Sequence, residues 1–151
     1  LTVKDNIDLA LQNSSYSRAA IRNRREQLIN EFNLNNFVDN YGYQLSGGER
    51  RRCEIARALT VGRKGPKYLL LDEPFAGIDP LAVNDLKKLI LKLSSDGVGI
   101  LITDHNVRET LLITNKSYVL SEGKILAYGS SSELADNPIV KKYYLGDNFK
   151  L

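Results

Sequence analysis

A strand, helix, strand pattern constrains this chain more than any other feature. Tyr68-Leu69-Leu70-Leu71 and the run from Val98 to Thr103 are short and apolar, and each ends in acid: Asp72-Glu73 after the first, Asp104-His105 after the second. Neither alternates apolar with polar residues, which suits strands of a parallel sheet covered on both faces. Between them, Pro80 to about Ser94 reads as a helix, with Pro80 well placed in its first turn. Such a unit predicts an α/β fold with a parallel core sheet.

The flanks extend the pattern. Thr2-Val3-Lys4-Asp5 has the look of a helix start, and the apolar Ile7, Ala10 and Leu11 follow before Asn13-Ser14-Ser15 breaks the period. A second helix is predicted from Ser17 to about Asn33, its apolar stripe made by Ile21, Leu28, Ile29 and Phe32. Asn33 to Gln44 reads as a loop, Gly48 to about Val61 as a helix, and Gly62 to Lys67 as another loop. Beyond the second strand come a helix over Asn106 to Ile113, strands at Ser117 to Leu120 and Lys124 to Tyr128 joined by a turn at Glu122-Gly123, and helices at Ser132 to Ala135 and Pro138 to Leu145. No internal repeat is visible.

Composition narrows the partners. With 151 residues, 42% of them hydrophobic and 26% charged, the chain has the balance of one ordinary globular domain. No apolar run approaches the roughly 18 residues that a membrane helix needs. The single cysteine, Cys53, cannot form an internal disulfide, which makes a reducing compartment the expectation. The net charge of +3 is mild, and the clusters Arg50-Arg51-Arg52 and Arg22, Arg24, Arg25 do not compel a nucleic-acid partner. The chain contains no methionine and begins Leu1-Thr2-Val3 without a signal-peptide pattern, so an N-terminal truncation is expected.

Three stretches carry chemistry. Ser46 is a favoured N-cap, and Gly47-Gly48 after it would let an anion approach the unsatisfied amides of a helix start; Ser-Gly-Gly alone reads equally as a capped helix after a glycine turn. Asp72 and Glu73 fall at the C-terminal end of a buried strand, where open α/β sheets place their ligands. One acid there can hold Mg2+ through water while its neighbour takes a proton from an attacking water, although a strand can also simply end in polar residues before Pro74. His105, the only histidine, ends the second strand on the same edge; a lone histidine is as readily structural.

Together these residues resemble the ATP-binding cassette (ABC) ATPases. Leu45-Ser46-Gly47-Gly48-Glu49 matches the family's signature sequence; Tyr68 to Asp72 with Glu73 resembles its Walker B strand and catalytic glutamate; Ala76-Gly77-Ile78-Asp79 resembles its D-loop; and His105 resembles its switch histidine. The resemblance covers essentially the whole chain. It implies a P-loop NTPase-like α/β domain, with a helical subdomain and signature helix over about 1–60 and part of the core over about 61–151. Within the family, the strings Gly48 to Leu59, Asp72 to Pro80, Thr103 to Thr110 and Tyr144 to Leu151 look most like the ATPase subunits of lipopolysaccharide exporters, whose nearest relatives serve branched-chain amino-acid import.

The resemblance further implies a head-to-tail homodimer with ATP between the subunits, docked on transmembrane subunits at the cytoplasmic side of the inner membrane. Ser46, Gly47, Gly48 and Glu49 would face the γ-phosphate of the partner's nucleotide, Asp72 would position Mg2+, Glu73 would activate water, His105 would contact the γ-phosphate, and Asp79 would work across the interface. The basic helix is then solvated surface, where Arg50 and Arg57 can pair with Glu54. No Gly-x-x-x-x-Gly-Lys-Ser/Thr string occurs. That phosphate loop, the glutamine loop and the adenine-stacking aromatic are expected to precede Leu1, which leaves the chain alone a weak binder of ATP, inactive and unstable at its exposed strand edges. Three readings follow: part of a working export ATPase, part of a sibling transporter for amino acids or another lipid, or a non-catalytic module that lends its signature face to a partner.

Overall fold

The computed structural model of the chain describes residues 1–13, 16–62 and 65–146. Ser14, Ser15, Arg63, Lys64 and the tail from Asp147 lie outside the described residues, and with them part of the expected breaks and the end of the exporter-like string. Two compact units make up the chain, Leu1–Thr103 and Asp104–Leu151.

The first unit holds helices α1 (Val3–Gln12), α2 (Arg18–Glu31) and α3 (Gly47–Ala58), strand β1 (Tyr68–Asp72), helix α4 (Pro80–Ser95) and strand β2 (Gly99–Thr103). Helix α1 begins at a capping box in which Thr2 and Asp5 satisfy each other's backbone amides, and it buries Val3, Ile7 and Leu11 along one face. It packs on α2 and α3. An Arg25–Asp8 ion pair at 2.7 Å joins α1 to α2, and Lys92 reaches Glu31 at 2.8 Å from α4. Helix α4 buries Val83, Leu86, Ile90 and Leu93, spaced three and four residues apart as one helical stripe.

Strands β1 and β2 pair in parallel from Tyr68↔Gly99 to Asp72↔Thr103, so the strand, helix, strand unit forms as expected. The covering differs. Leu69 and Leu71 are buried, whereas Tyr68, Leu70 and Leu101 are 75%, 71% and 60% exposed. A continuous apolar strand here has one face packed and the other open.

The segment Asn33 to Gln44 is more ordered than a loop. It forms two single 3₁₀ turns, Asn35–Phe37 and Gly42–Gln44, pinned by the fully buried Leu34 and by the amides of Val3 and Lys4, which donate to Asn40 and Val38 at 3.0 Å. Those bonds satisfy donors that a helix start leaves open.

The second unit comprises α5 (Val107–Leu111), the antiparallel hairpin β3 (Ser117–Ser121) and β4 (Lys124–Gly129), α6 (Ser131–Asp136), α7 (Pro138–Val140) and a π-helical turn at Lys141–Leu145. Glu122 and Gly123 turn the hairpin with φ of 50° and 74°, the left-handed pair of a two-residue connection. Leu111, Val119, Leu134 and Val140 form its core.

Candidate functional site

Three loops of the first unit converge: the start of α3, the end of β1 and the turn before α4. Ser46 caps α3; its Oγ accepts from the Glu49 amide at 3.3 Å, while the Glu49 carboxylate takes the Ser46 amide at 2.8 Å. This box occupies the Ser46 and Glu49 donors, which leaves the amides of Gly47 and Gly48 as the first-turn donors it does not use. The polarity at that helix end suits an anion.

The glycines have a second reason to be there. A Cβ on Gly48 would sit 2.6 Å from the Ala82 Cβ in α4, and one on Gly47 would sit 2.9 Å from the Gly77 carbonyl. The start of α3 therefore lies directly against the Gly77–Ala82 turn, and only residues without a side chain fit. The expected approach of an anion to bare backbone is joined by an approach of protein to protein. Asp79 closes the turn by accepting the Leu81 and Ala82 amides, both at 3.0 Å, and so caps α4.

At the end of β1, Asp72 accepts a hydrogen bond from the Thr103 hydroxyl of β2. Its carboxylate is exposed. No group of three or more His, Cys, Asp or Glu residues gathers there or elsewhere among the described residues. A cation held at Asp72 would therefore complete its shell with water and phosphate, the habit of Mg2+. Asp72 would thus offer such an ion one exposed carboxylate.

Glu73 departs from ordinary backbone, with φ of +44°. For a non-glycine residue this costs about 1–3 kcal/mol and persists where surroundings over-determine it. Here its amide donates to the Thr103 carbonyl at 2.7 Å, and its own carbonyl accepts from Arg51 at 3.0 Å and from the Ala76 amide at 3.2 Å. Arg51 also pairs with Glu54 at 2.8 Å. The basic helix is thus not only solvated surface, and the Glu54 partner is Arg51 in place of the expected Arg50 and Arg57. Arg57 instead reaches the Asn6 side chain at 3.5 Å, while Arg50 and Arg57 border a pocket with Cys53. Nothing in a run of three arginines tells which one turns inward; only the distance between α3 and β1 does.

His105 opens the second unit. It is exposed, with Nδ1 3.9 Å from a carboxylate oxygen of Asp104, whose side chain is fully buried and accepts the Asn106 amide at 2.7 Å. The structure thus brings Ser46, Gly47, Gly48, Glu49, Asp72, Glu73 and Asp79 into one unit and places His105 at the start of the other.

A parallel strand pair ending in adjacent acids, beside a glycine-started helix, makes an α/β unit, and the solved structures it resembles are domains of the P-loop NTPase-like class. A sequence model described as ABC transporter matches residues 1–76, and the chain belongs to that family. It is 48% identical over its whole length to the lipopolysaccharide export system ATP-binding protein LptB of Acidithiobacillus ferridurans, and 46% identical to that of Escherichia coli K12. The chain spans 61% and 62% of the length of these relatives. Among solved structures it is similar to MJ1267, an ATP-binding cassette of an ABC transporter, with a TM-score of 0.82 at 26% identity over 97% of this chain and 63% of that one. It also resembles the ATP-binding cassette MJ0796, solved as a dimer bound to ADP and Pi, with a TM-score of 0.73 at 25% identity over 87% of this chain and 57% of that one.

Proposed function

We propose that these residues are the signature and Walker B portion of an ATPase subunit that powers lipopolysaccharide export. The observation that carries this reading is the 46–48% identity to lipopolysaccharide-export ATP-binding proteins across all of the chain. Ser46 and the amides of Gly47 and Gly48, with Glu49 holding the cap, would contact the γ-phosphate of ATP held mainly by a second copy of the subunit. Glu73 would take the proton of the attacking water. His105 would contact the γ-phosphate, and Asp79 would face the partner subunit. Asp72 would hold Mg2+ through water, and the ion would supply neutralisation of phosphate charge.

The working unit in this reading is a homodimer bound to transmembrane subunits on the cytoplasmic face of the inner membrane. No helix among the described residues is long and apolar enough to cross a membrane, which suits a peripheral subunit. Residues 1–60 serve as helical subdomain and signature helix and 61–151 as part of the ATPase core. The 151 residues alone are inactive in this reading, since they contain no phosphate-loop string. The test is Glu73→Gln in the full-length protein reconstituted with its membrane subunits: ATPase activity should fall by about 10²-fold or more, a loss of the size general-base removal produces. Unchanged activity would remove Glu73 from the chemistry.

A further inference from the structure

We propose that Arg51 is a positioning residue for Glu73, locking the backbone conformation that aims the carboxylate. The inference rests on the reading of Glu73 as the base. Glu73 precedes Pro74, and a residue before proline is pushed from the right-handed helical region toward extended backbone, so the competitor of a left-handed conformation here is an extended one. The observed φ of +44° is the left-handed one. Exchange between the two swings the side chain to another side of the chain.

Three hydrogen bonds select the left-handed form. Two are local or come from the paired strand: the Glu73 amide to Thr103, and the Ala76 amide to the Glu73 carbonyl. The third, from the Arg51 guanidinium at 3.0 Å, is the only one of the three that carries charge. It also comes from α3, whose first turn bears Ser46, Gly47 and Gly48. Arg51 is itself oriented by Glu54, and its side chain is 28% exposed, so most of it is packed against protein while the bonds of its guanidinium lie near solvent. One planar fork thus bridges a carboxylate on its own helix and the carbonyl of the acid at the end of β1, a geometry for which lysine is a poor substitute.

The experiment compares Arg51→Ala, Arg51→Lys and Glu54→Gln with the parent in the full-length protein and its membrane subunits, with Glu73→Gln as control. Misplacing a reacting group by about 1 Å costs on the order of 10²-fold, so Arg51→Ala should lower kcat by roughly ten- to a hundredfold while KM for ATP and the melting temperature stay near parental values. Arg51→Lys should fall between Ala and the parent, and Glu54→Gln should shift kcat the same way by less. A parental kcat in Arg51→Ala, or losses of kcat, ATP binding and stability in step, overturns the proposal. Should Arg51→Ala fail to fold, Arg51→Lys decides: lowered kcat at parental KM supports the role, and parental kcat refutes it. If Glu73→Gln leaves ATPase activity intact, it is the functional reading that has failed, whatever the Arg51 variants do.

Discussion

Gly48→Ala tests whether the signature glycine is demanded by packing. The new methyl would lie 2.6 Å from the Ala82 Cβ, a separation real side chains do not adopt. Both carbons are attached directly to helix backbones, so no flexible end can swing away, and α3 must back off α4 by about 1 Å to restore ordinary contact. Overpacking of that kind costs about 1–3 kcal/mol, and the absence of any rotamer escape places it near the top. Replacing glycine in a helix returns at most about 1 kcal/mol, which leaves a net loss of roughly 2 kcal/mol. Urea denaturation of the nucleotide-free, full-length protein measures it as a lowered midpoint at unchanged slope. The companion change Ala82→Gly removes the obstructing methyl. It should cost up to about 1 kcal/mol alone yet restore stability to Gly48→Ala, giving a coupling of about 3 kcal/mol between the positions, the size of the relieved clash. If Gly48→Ala is as stable as the parent, the contact with α4 does not require glycine, and the residue serves ligand approach alone. ATPase activity of the stabilised double variant then separates the two demands, since a methyl that blocks only an anion would still abolish it.

Other outcomes follow from single contacts. Arg25→Ala should destabilise by about 1–3 kcal/mol, because it strips Asp8 of its partner when the other Asp8 oxygen is already buried without a hydrogen bond; joint replacement with Asp8→Leu and Arg25→Met should recover most of the loss in thermal melts. Burial pushes the Cys53 thiol up, ahead of the opposing influence of Arg57, so alkylation at neutral pH should be far slower in the folded protein than in urea; equal rates would refute the burial. Hydrogen bonds from the backbone and hydroxyl of Thr2 hold Asp5 below the usual carboxylate range, and those from Ser130 do the same for Glu133. The stability these caps contribute is present above the unfolded carboxylate values of about pH 4 and is lost as pH falls through the lower folded values. The Thr2 and Ser130 amide resonances should therefore shift in the acid range, and Asp5→Asn or Glu133→Gln should abolish the local shift.

Much of this architecture was legible because it is local or periodic. Val83, Leu86, Ile90 and Leu93 announce a one-faced helix, Ser46 and Glu49 announce a cap, and Glu122-Gly123 announces a hairpin. The acids after β1 could be read because a strand's end is itself a sequence signal. What escaped depends on approach between distant segments. Leu34 draws the Asn33–Gln44 stretch inward although its composition reads as loop, and the inward turn of Arg51 depends on where β1 ends relative to α3. The partnership of Gly48 with Ala82 likewise joins residues from two helices. The apolar run of β1 misled in another way: hydrophobicity on both faces states what a strand tolerates, while burial on each face depends on which elements lie against it.

That open face of β1 and β2 has an energetic consequence. Tyr68, Leu70 and Leu101 are already a quarter to two-fifths covered, so burying the rest would contribute about 1–2 kcal/mol for each side chain, a sum near the low end of an ordinary domain's net stability. The tolerance of residues 1–103 to heat, urea and core mutation should therefore track whatever covers that face. The same substitution should read as mild where the strands are covered and as unfolding where they stand in water.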